Sequence, residues 1–356
     1  MVFSRKNEAL KSFDVMERVV LYSPNPLSWQ APQWHLLNES RAQGRLPHGL
    51  LMTGPEGVGK SLFAHQFAQS LLCDGPQATG APCGECRGCQ LVEAGTHPDL
   101  SIVSPDEGKK NISVDQIRGV GNYLGLKSQF GRSKVVIVAP ADAMNVNASN
   151  SLLKTLEEPT EGSVLILASS RPAQLPATIR SRCQEVRFGE VEKSVAFDWL
   201  RQNVTSDENP ATLLALANGA PLKAAEMADK GLVSLRKELF EGLEKLASQQ
   251  ADPIKLASQW VSAGAHYSLH WMYSWITDMV RLKVTGSSAH IANEDMAQQL
   301  ASLASQLTLN LLIKQQDRVL TALRQAEHNF NVQLIFEDLL IQWRRCFVAR
   351  NRKTVV

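Results

Sequence analysis

The clearest alternation of apolar and polar positions begins near residue 48. "HGLLMTGPEGVGKS" is a short apolar run followed by a glycine-rich turn. "KSLFAHQFAQSLLC" follows, with Leu62, Phe63, Phe67, Leu71 and Leu72 recurring at helical spacing. The pattern predicts a strand, a loop and a helix. Further β-rich or apolar runs come in the same rhythm: "DLSIVSP" (99–105), "KVVIV" (134–138), "SVLILAS" (163–169) and "QEVRF" (184–188). Between them, "ISVDQIRGVGNYL" offers Ser113 and Gln116 as a capping box ahead of a helix. Continuous apolar strands alternating with helices predict an α/β domain, its parallel sheet covered by helices on both faces. Beyond about residue 190 the pattern turns helical, from "SVAFDWLRQNV" and "NPATLLALANGAPLKAAEMA" onward, with breaks near "SQQADP" and "TGSSAH". No internal repeat or low-complexity linker interrupts it.

Composition adds bounds. The 356 residues suffice for two or three domains. Apolar residues at 44% and charged residues at 20% make an ordinary globular balance. A net charge of +2 leaves any nucleic-acid contact to local patches. The N-terminus "MVFSRKNEALKSFDVMERVV" carries charges throughout and reads as no signal peptide. No stretch approaches the 18 or so apolar residues of a membrane span. A cytoplasmic protein with no membrane partner is the expectation.

The cysteines add chemistry. Cys73, Cys83, Cys86 and Cys89 give C-x9-C-x2-C-x2-C, while Cys183 and Cys346 stand alone. In a reducing compartment such a cluster predicts metal binding rather than disulfides. Four thiolates with no open position suit a closed, structural Zn²⁺ site, and Gly84 and Gly88 permit the tight turns that aim them. His97, nearby in "GTHPDL", is then structural rather than a ligand.

Gly54, Gly59, Lys60 and Ser61 fill G-x4-G-K-[ST], with Gly57 inside the loop, between a predicted strand and a predicted helix as the motif requires. Such a loop wraps phosphates in backbone N–H groups, with the lysine reaching the terminal phosphates and the serine able to hold Mg²⁺. ATP is the implied ligand. Yet the strand "KVVIV", where a hydrolysing P-loop protein should end in acids, runs into Ala139 and Pro140.

The P-loop, the cysteine insertion behind its helix, "VDQIR", "SLLKTLEEP" (151–159) and "SRC" (181–183) together resemble the AAA+ clamp-loader subunits of bacterial DNA polymerase III. The resemblance runs from about residue 25 to the end. It implies an extension over residues 1–24, an AAA+ P-loop domain over 25–187 with the cysteine insertion at 73–89, a small helical lid over 188–232, and a helical collar over 233–356. It also implies a five-subunit ring with gamma/tau motor subunits and a delta subunit, which places a sliding clamp on primed DNA.

In the motor subunits of this family Asp-Glu stands where Ala139 and Pro140 stand here. The aspartate helps hold magnesium and the glutamate activates water; losing a positioned base costs about 10²–10⁴-fold in rate. Asp142 lies three residues on, roughly 10 Å along an extended chain, too far to substitute. The lid's sensor arginine is also missing, with Leu222 in its place and Lys223 one position off. The expectation is a chain that is itself neither polymerase nor efficient ATPase. Arg182 of "SRC" matches the family's arginine finger, which reaches the γ-phosphate in a neighbour's site; Arg180 reads as a bystander and Cys183 as a packing residue. The rivals are a true motor subunit and a stand-alone zinc-containing P-loop regulator.

The basic groups Lys109 and Lys110, then Lys127, Arg132 and Lys134, and the C-terminal "RRCFVARNRKTVV", read as solvated charge rather than DNA contacts. Trp29 and Trp34 are expected to pack on the core.

Overall fold

Five strands form one parallel sheet in the order β2-β3-β4-β1-β5. They are β1 (Gly49–Thr53), β2 (Leu100–Val103), β3 (Lys134–Val138), β4 (Ser163–Ser169) and β5 (Gln184–Arg187). The computed structural model describes residues 25–286, 291–327 and 330–351. The extension expected over residues 1–24 lies outside the described residues, as do residues 352–356 of the basic C-terminal stretch.

The three inner strands are buried along their whole length, as their unbroken apolar sequences require. The edge strands β2 and β5 are partly open. Register sets Leu51 beside Leu167 on one side and Glu185 on the other. Eleven α-helices lie between residues 31 and 262. Before and within the sheet they are α1 (Ala31–Ala42), α2 (Lys60–Leu72), α3 (Arg87–Glu93), α4 (Val114–Leu124), α5 (Val146–Glu157) and α6 (Ala177–Arg180). After it come α7 (Lys193–Asn203), α8 (Pro210–Leu216), α9 (Pro221–Asp229), α10 (Leu232–Ala247) and α11 (Pro253–Ser262).

One core cluster sets Leu51, Val136, Leu165 and Leu167 against Ile117 and Val120 of α4 and Leu152 and Leu156 of α5. α2 is buried along nearly all its length and lies against β3 and β4. Around it Trp34 meets Phe63 and Phe67 edge-on at 5.6 and 6.0 Å, and Phe188 meets Phe63 at 5.0 Å. Trp34 is therefore a core residue, as its sequence context predicts. The capping box at Ser113 and Gln116 forms and starts α4.

The described chain divides into two compact units. The first runs to Thr205 and takes back Gly219–Glu226; the second holds Ser206–Asn218 and everything from Met227 onward. The second unit is all-helical among its described residues, continuing through α12 (Ala265–Thr285), α13 (Ala297–Gln306), α14 (Leu309–Glu327) and α15 (Val332–Asn351). Trp260, Trp275, Trp343 and Phe336 are fully buried at its centre. A second core feature is polar. Arg236, with no exposure, pairs with Asp295 at 2.7 Å and also holds Asn293, whose amide reaches Asp278 at 2.6 Å. That network engages both terminal nitrogens of a buried guanidinium that would otherwise be costly, while its Nε is left without a partner.

Candidate nucleotide site, cysteine cluster and Arg182

The glycine-rich turn follows the C-terminal end of β1 and delivers the chain into α2. Gly57 and Gly59 have φ of +80° and +89°, a region that favours glycine. The loop's outward carbonyls are held from the α1 side. Trp29 Nε1 donates to the Val58 carbonyl at 3.0 Å, and Gln30 Nε2 donates to those of Val58 and Gly59, each at 3.0 Å. Trp29 thus braces the loop while packing, as expected, on a core cluster of Leu27, Leu62 and Leu222, its ring edge-on to Trp199 at 5.6 Å.

Lys60 opens α2 and is only 6% exposed. Its ammonium donates to the Gly54 carbonyl at 2.9 Å, the Pro55 carbonyl at 2.7 Å and the Ser170 hydroxyl at 2.9 Å. An ammonium has three protons, so the protein itself supplies the acceptors that a phosphate would offer. The segment leading into α9 packs on the same loop. The Leu222 N–H donates to the Gly57 carbonyl at 3.1 Å. Its side chain, 5% exposed, clusters with Leu27 and Leu62. A side chain at Gly57 would begin 2.5 Å from Lys223 Cβ. Lys223, the cation nearest the missing sensor position, pairs with Glu56 at 3.0 Å.

β3 ends at Val138 and runs, as its sequence states, into Ala139 and Pro140. Asp142 is 5% exposed and committed elsewhere. It accepts from the Ser169 hydroxyl at 2.6 Å, the Ser170 N–H at 3.0 Å and Arg171 Nε at 3.3 Å. Burial pushes its pKa up, but these three donors outweigh it and hold the carboxyl below the ordinary aspartate range. Asp142 ties the β3 turn to the tip of β4, and through Ser170 to Lys60. With Ala139 and Pro140 at the end of β3 and Asp142 engaged elsewhere, these positions supply no carboxylate to a magnesium ion poised for hydrolysis.

Arg182 stands elsewhere. A glycine Cβ built at Gly49, the first residue of β1, would lie 3.3 Å from the Arg182 carbonyl. Lys60 follows the other end of that strand, roughly 13 Å away at about 3.3 Å per residue. The Arg182 side chain is 37% exposed, paired with Glu157 at 2.7 Å, and donates through Nη1 to the Thr178 carbonyl at 3.1 Å. Arg180 is exposed. Cys183 packs against the sheet core, and burial pushes its thiol up to about 11.

The four clustered cysteines converge, with no disulfide among them. Their sulfurs all lie within 4.8 Å of one another. Cys73 is 3.5 Å from Cys83 and 3.9 Å from Cys86, and Cys83 is 4.0 Å from Cys89. Tetrahedral zinc with bonds of about 2.3 Å spaces its sulfurs about 3.8 Å apart, so the donor set fits. Backbone N–H groups prepare it: Cys83 N–H points at Cys73 Sγ, Cys86 N–H at Cys83 Sγ, and Cys89 N–H at Cys86 Sγ, at 3.3, 3.3 and 3.4 Å. N–H groups of Cys86 and Glu85 bring the Cys83 thiol down to about 7, whereas burial pushes those of Cys73 and Cys89 up. Gly84 takes φ +80° as a turn glycine. Gly88 differs from its expected role. It lies inside α3, and a Cβ there would sit 2.4 Å from the Leu72 carbonyl, so it provides close approach to the end of α2 rather than a turn.

His97 is buried, its Nδ1 accepting from the Asp99 N–H at 3.0 Å and its ring 4.9 Å from Phe130. Lys134 is a correction to the surface-charge reading. It is buried, 3.5 Å from the fully buried Asp99 and 4.4 Å over the Tyr123 ring. Lys109 pairs with Asp106 at 2.7 Å and Arg132 with Asp74 at 3.5 Å.

Several contacts have no local sequence signal: the Ser170 hydroxyl on Lys60, the Leu222 N–H on Gly57 and the Glu157 carboxylate on Arg182. Each joins residues far apart in the chain.

Comparison with known proteins gives a consistent result. Residues 29–192 match the family described as "DNA polymerase III, delta subunit", and residues 230–345 match "DNA polymerase III, delta subunit, C terminal". The chain is 37% identical over 319 residues to DNA polymerase III subunit delta-prime of Pseudomonas aeruginosa, spanning 88% of this chain and 96% of that protein. It is 33% identical over 281 residues to the Escherichia coli subunit of the same name, spanning 79% and 83%. A solved gamma subunit-related protein of Thermotoga maritima superposes with a TM-score of 0.48 at 18% identity, covering 88% of this chain and 99% of that one.

Proposed function

Because the chain belongs to the delta-prime family of DNA polymerase III subunits, we propose that it serves the clamp loader as a non-motor AAA+ arm, lending Arg182 to a neighbouring subunit's ATP site. In this reading it assembles with gamma/tau motor subunits and a delta subunit, and the assembly opens the sliding clamp and seats it on primed DNA. The chain contributes no efficient hydrolysis of its own.

The observation that carries this reading is the separation of the two cations along β1. Lys60, beyond one end, is engaged by Gly54, Pro55 and Ser170. Arg182, at the other end, is a partly exposed guanidinium. A side chain there cannot bend back to its own P-loop, but it can face a site carried by an adjacent protein. Arginine suits that task, since its planar fork stays charged and donates several hydrogen bonds to phosphate oxygens. Fingers supplied in trans accelerate hydrolysis by about 10³–10⁵ in other systems. The intact loop glycines still allow nucleotide to bind as a passenger, once Lys60 and Leu222 give way. The cysteine cluster would hold one structural zinc through Cys73, Cys83, Cys86 and Cys89, closing the insertion behind α2.

The test is made in the reconstituted loader. Arg182→Ala should leave assembly intact while lowering clamp- and DNA-stimulated ATP hydrolysis and clamp loading. Arg182→Lys should fail as well, because a point charge lacks the fork. Lys60→Ala should change these rates much less. Normal loading by Arg182→Ala together with abolished loading by Lys60→Ala would make the chain a motor and overturn the proposal.

A further inference from the structure

Arg182 is not left to wander. Its Nη2 pairs with Glu157 Oε1 at 2.7 Å, and its Nη1 donates to the Thr178 carbonyl at 3.1 Å. Glu157 is the last residue of α5, where the helix's own partial charge is negative and a second negative charge is disfavoured. A carboxylate at this position is tolerated best with a cation against it.

The end of α5 is itself fixed. His48 Nε2 lies 2.9 Å from the Leu156 carbonyl. At Gly49 a Cβ would sit 3.0 Å from Leu156 Cδ2 and 3.3 Å from the Arg182 carbonyl. The start of β1, the end of α5 and the backbone of Arg182 are therefore brought together around a position with no side chain. Glu157 projects from this frame onto the guanidinium.

We infer that Glu157 is a positioning residue for Arg182, orienting its guanidinium for the phosphate of a neighbouring site. The inference rests on the proposed role of Arg182. Pairs as exposed as this one, 37% and 50%, add little to folding; their effect is to restrict a long side chain. A guanidinium has five N–H donors, and the contacts to Glu157 and Thr178 leave donors for phosphate oxygens. Holding it in one orientation removes part of the entropy that must otherwise be lost as the transition state forms. Glu157 acts through Arg182 and touches no phosphate itself.

The test uses the assembled loader with its motor and delta subunits, carrying Glu157→Ala, Glu157→Gln, Arg182→Ala or the Glu157→Ala and Arg182→Ala double substitution. Glu157→Ala should lower kcat for clamp- and DNA-stimulated ATP hydrolysis by roughly three- to tenfold, within the range of coupling between contacting residues, with KM for ATP unchanged. Glu157→Gln, which keeps an acceptor oxygen, should recover part of the loss. The double variant should be no slower than Arg182→Ala alone, a non-additivity that a merely structural role would not produce. Unchanged thermal unfolding and ring assembly identify the effect as catalytic. Full activity in Glu157→Ala, a KM effect alone, or losses that multiply in the double variant would overturn the inference while leaving the role of Arg182 standing. No effect of Arg182→Ala itself would overturn both.

Discussion

His65 lies inside α2 at 6% exposure, and burial drives its pKa down to about 4. An unfolded histidine titrates near 6.5. Above that pH both states carry a neutral ring and no stability is lost. Below it the unfolded chain takes up a proton that the folded chain refuses until about pH 4, so stability falls across this window. At about 1.4 kcal/mol per pH unit the full loss is about 3 kcal/mol. His97, whose pKa burial also lowers, acts in the same sense. Urea unfolding at about pH 7 and about pH 5 should show the decline in the natural protein and a smaller decline in His65→Gln; equal declines would remove His65 as a cause. At this scale the sequence is only partly legible. It singles out Lys60 by its motif and Arg182 by a family resemblance, but the partners that define their state, Ser170 and Glu157, lie 110 and 25 positions away. Lys134 shows the same limit, since a lysine at a strand start reads as solvated until Asp99 and Tyr123 close over it.

The elements were more legible than their partners. An unbroken run such as "KVVIV" is buried on both faces and so announces an inner strand, and Ser113 with Gln116 marks the start of α4 because capping is local chemistry. The cysteine insertion is legible for the same reason: its ligands fall within seventeen residues, Cys73 to Cys89. That element carries its own prediction. Freshly purified, reduced protein should hold one zinc per chain by elemental analysis, and Cys89→Ser should lose most of it, opening residues 73–89 to limited proteolysis. A metal content well below one would remove zinc from the account. Because Gly88 brings α3 against the Leu72 carbonyl, loosening here should also reach the end of α2. The helices after residue 190 were legible as helices only. Their mutual packing, and the Arg236, Asn293 and Asp278 network within it, depends on contacts between segments that local periodicity does not specify.

For the molecule as a whole, the chain belongs to the delta-prime family, and the proposed role places its chemical contribution outside itself. The seating of Leu222 on Gly57 also gives any incoming nucleotide a competitor that is part of the chain. Nucleotide entry is expected to require an open form, with residues 219–226 lifted from the loop, in balance with the closed form seen here. Burying a leucine favours the closed form by about 2 kcal/mol, which leaves about one molecule in thirty competent and weakens the apparent affinity by the same factor. Leu222→Ala should shift that balance and tighten ADP binding roughly tenfold by calorimetry, with hydrolysis still at background because Ala139 and Pro140 supply no acid. An unchanged affinity would mean that Leu222 does not compete. A phosphate loop covered in this way would behave as a receptor with a built-in antagonist, filled by nucleotide only once Leu222 has been displaced.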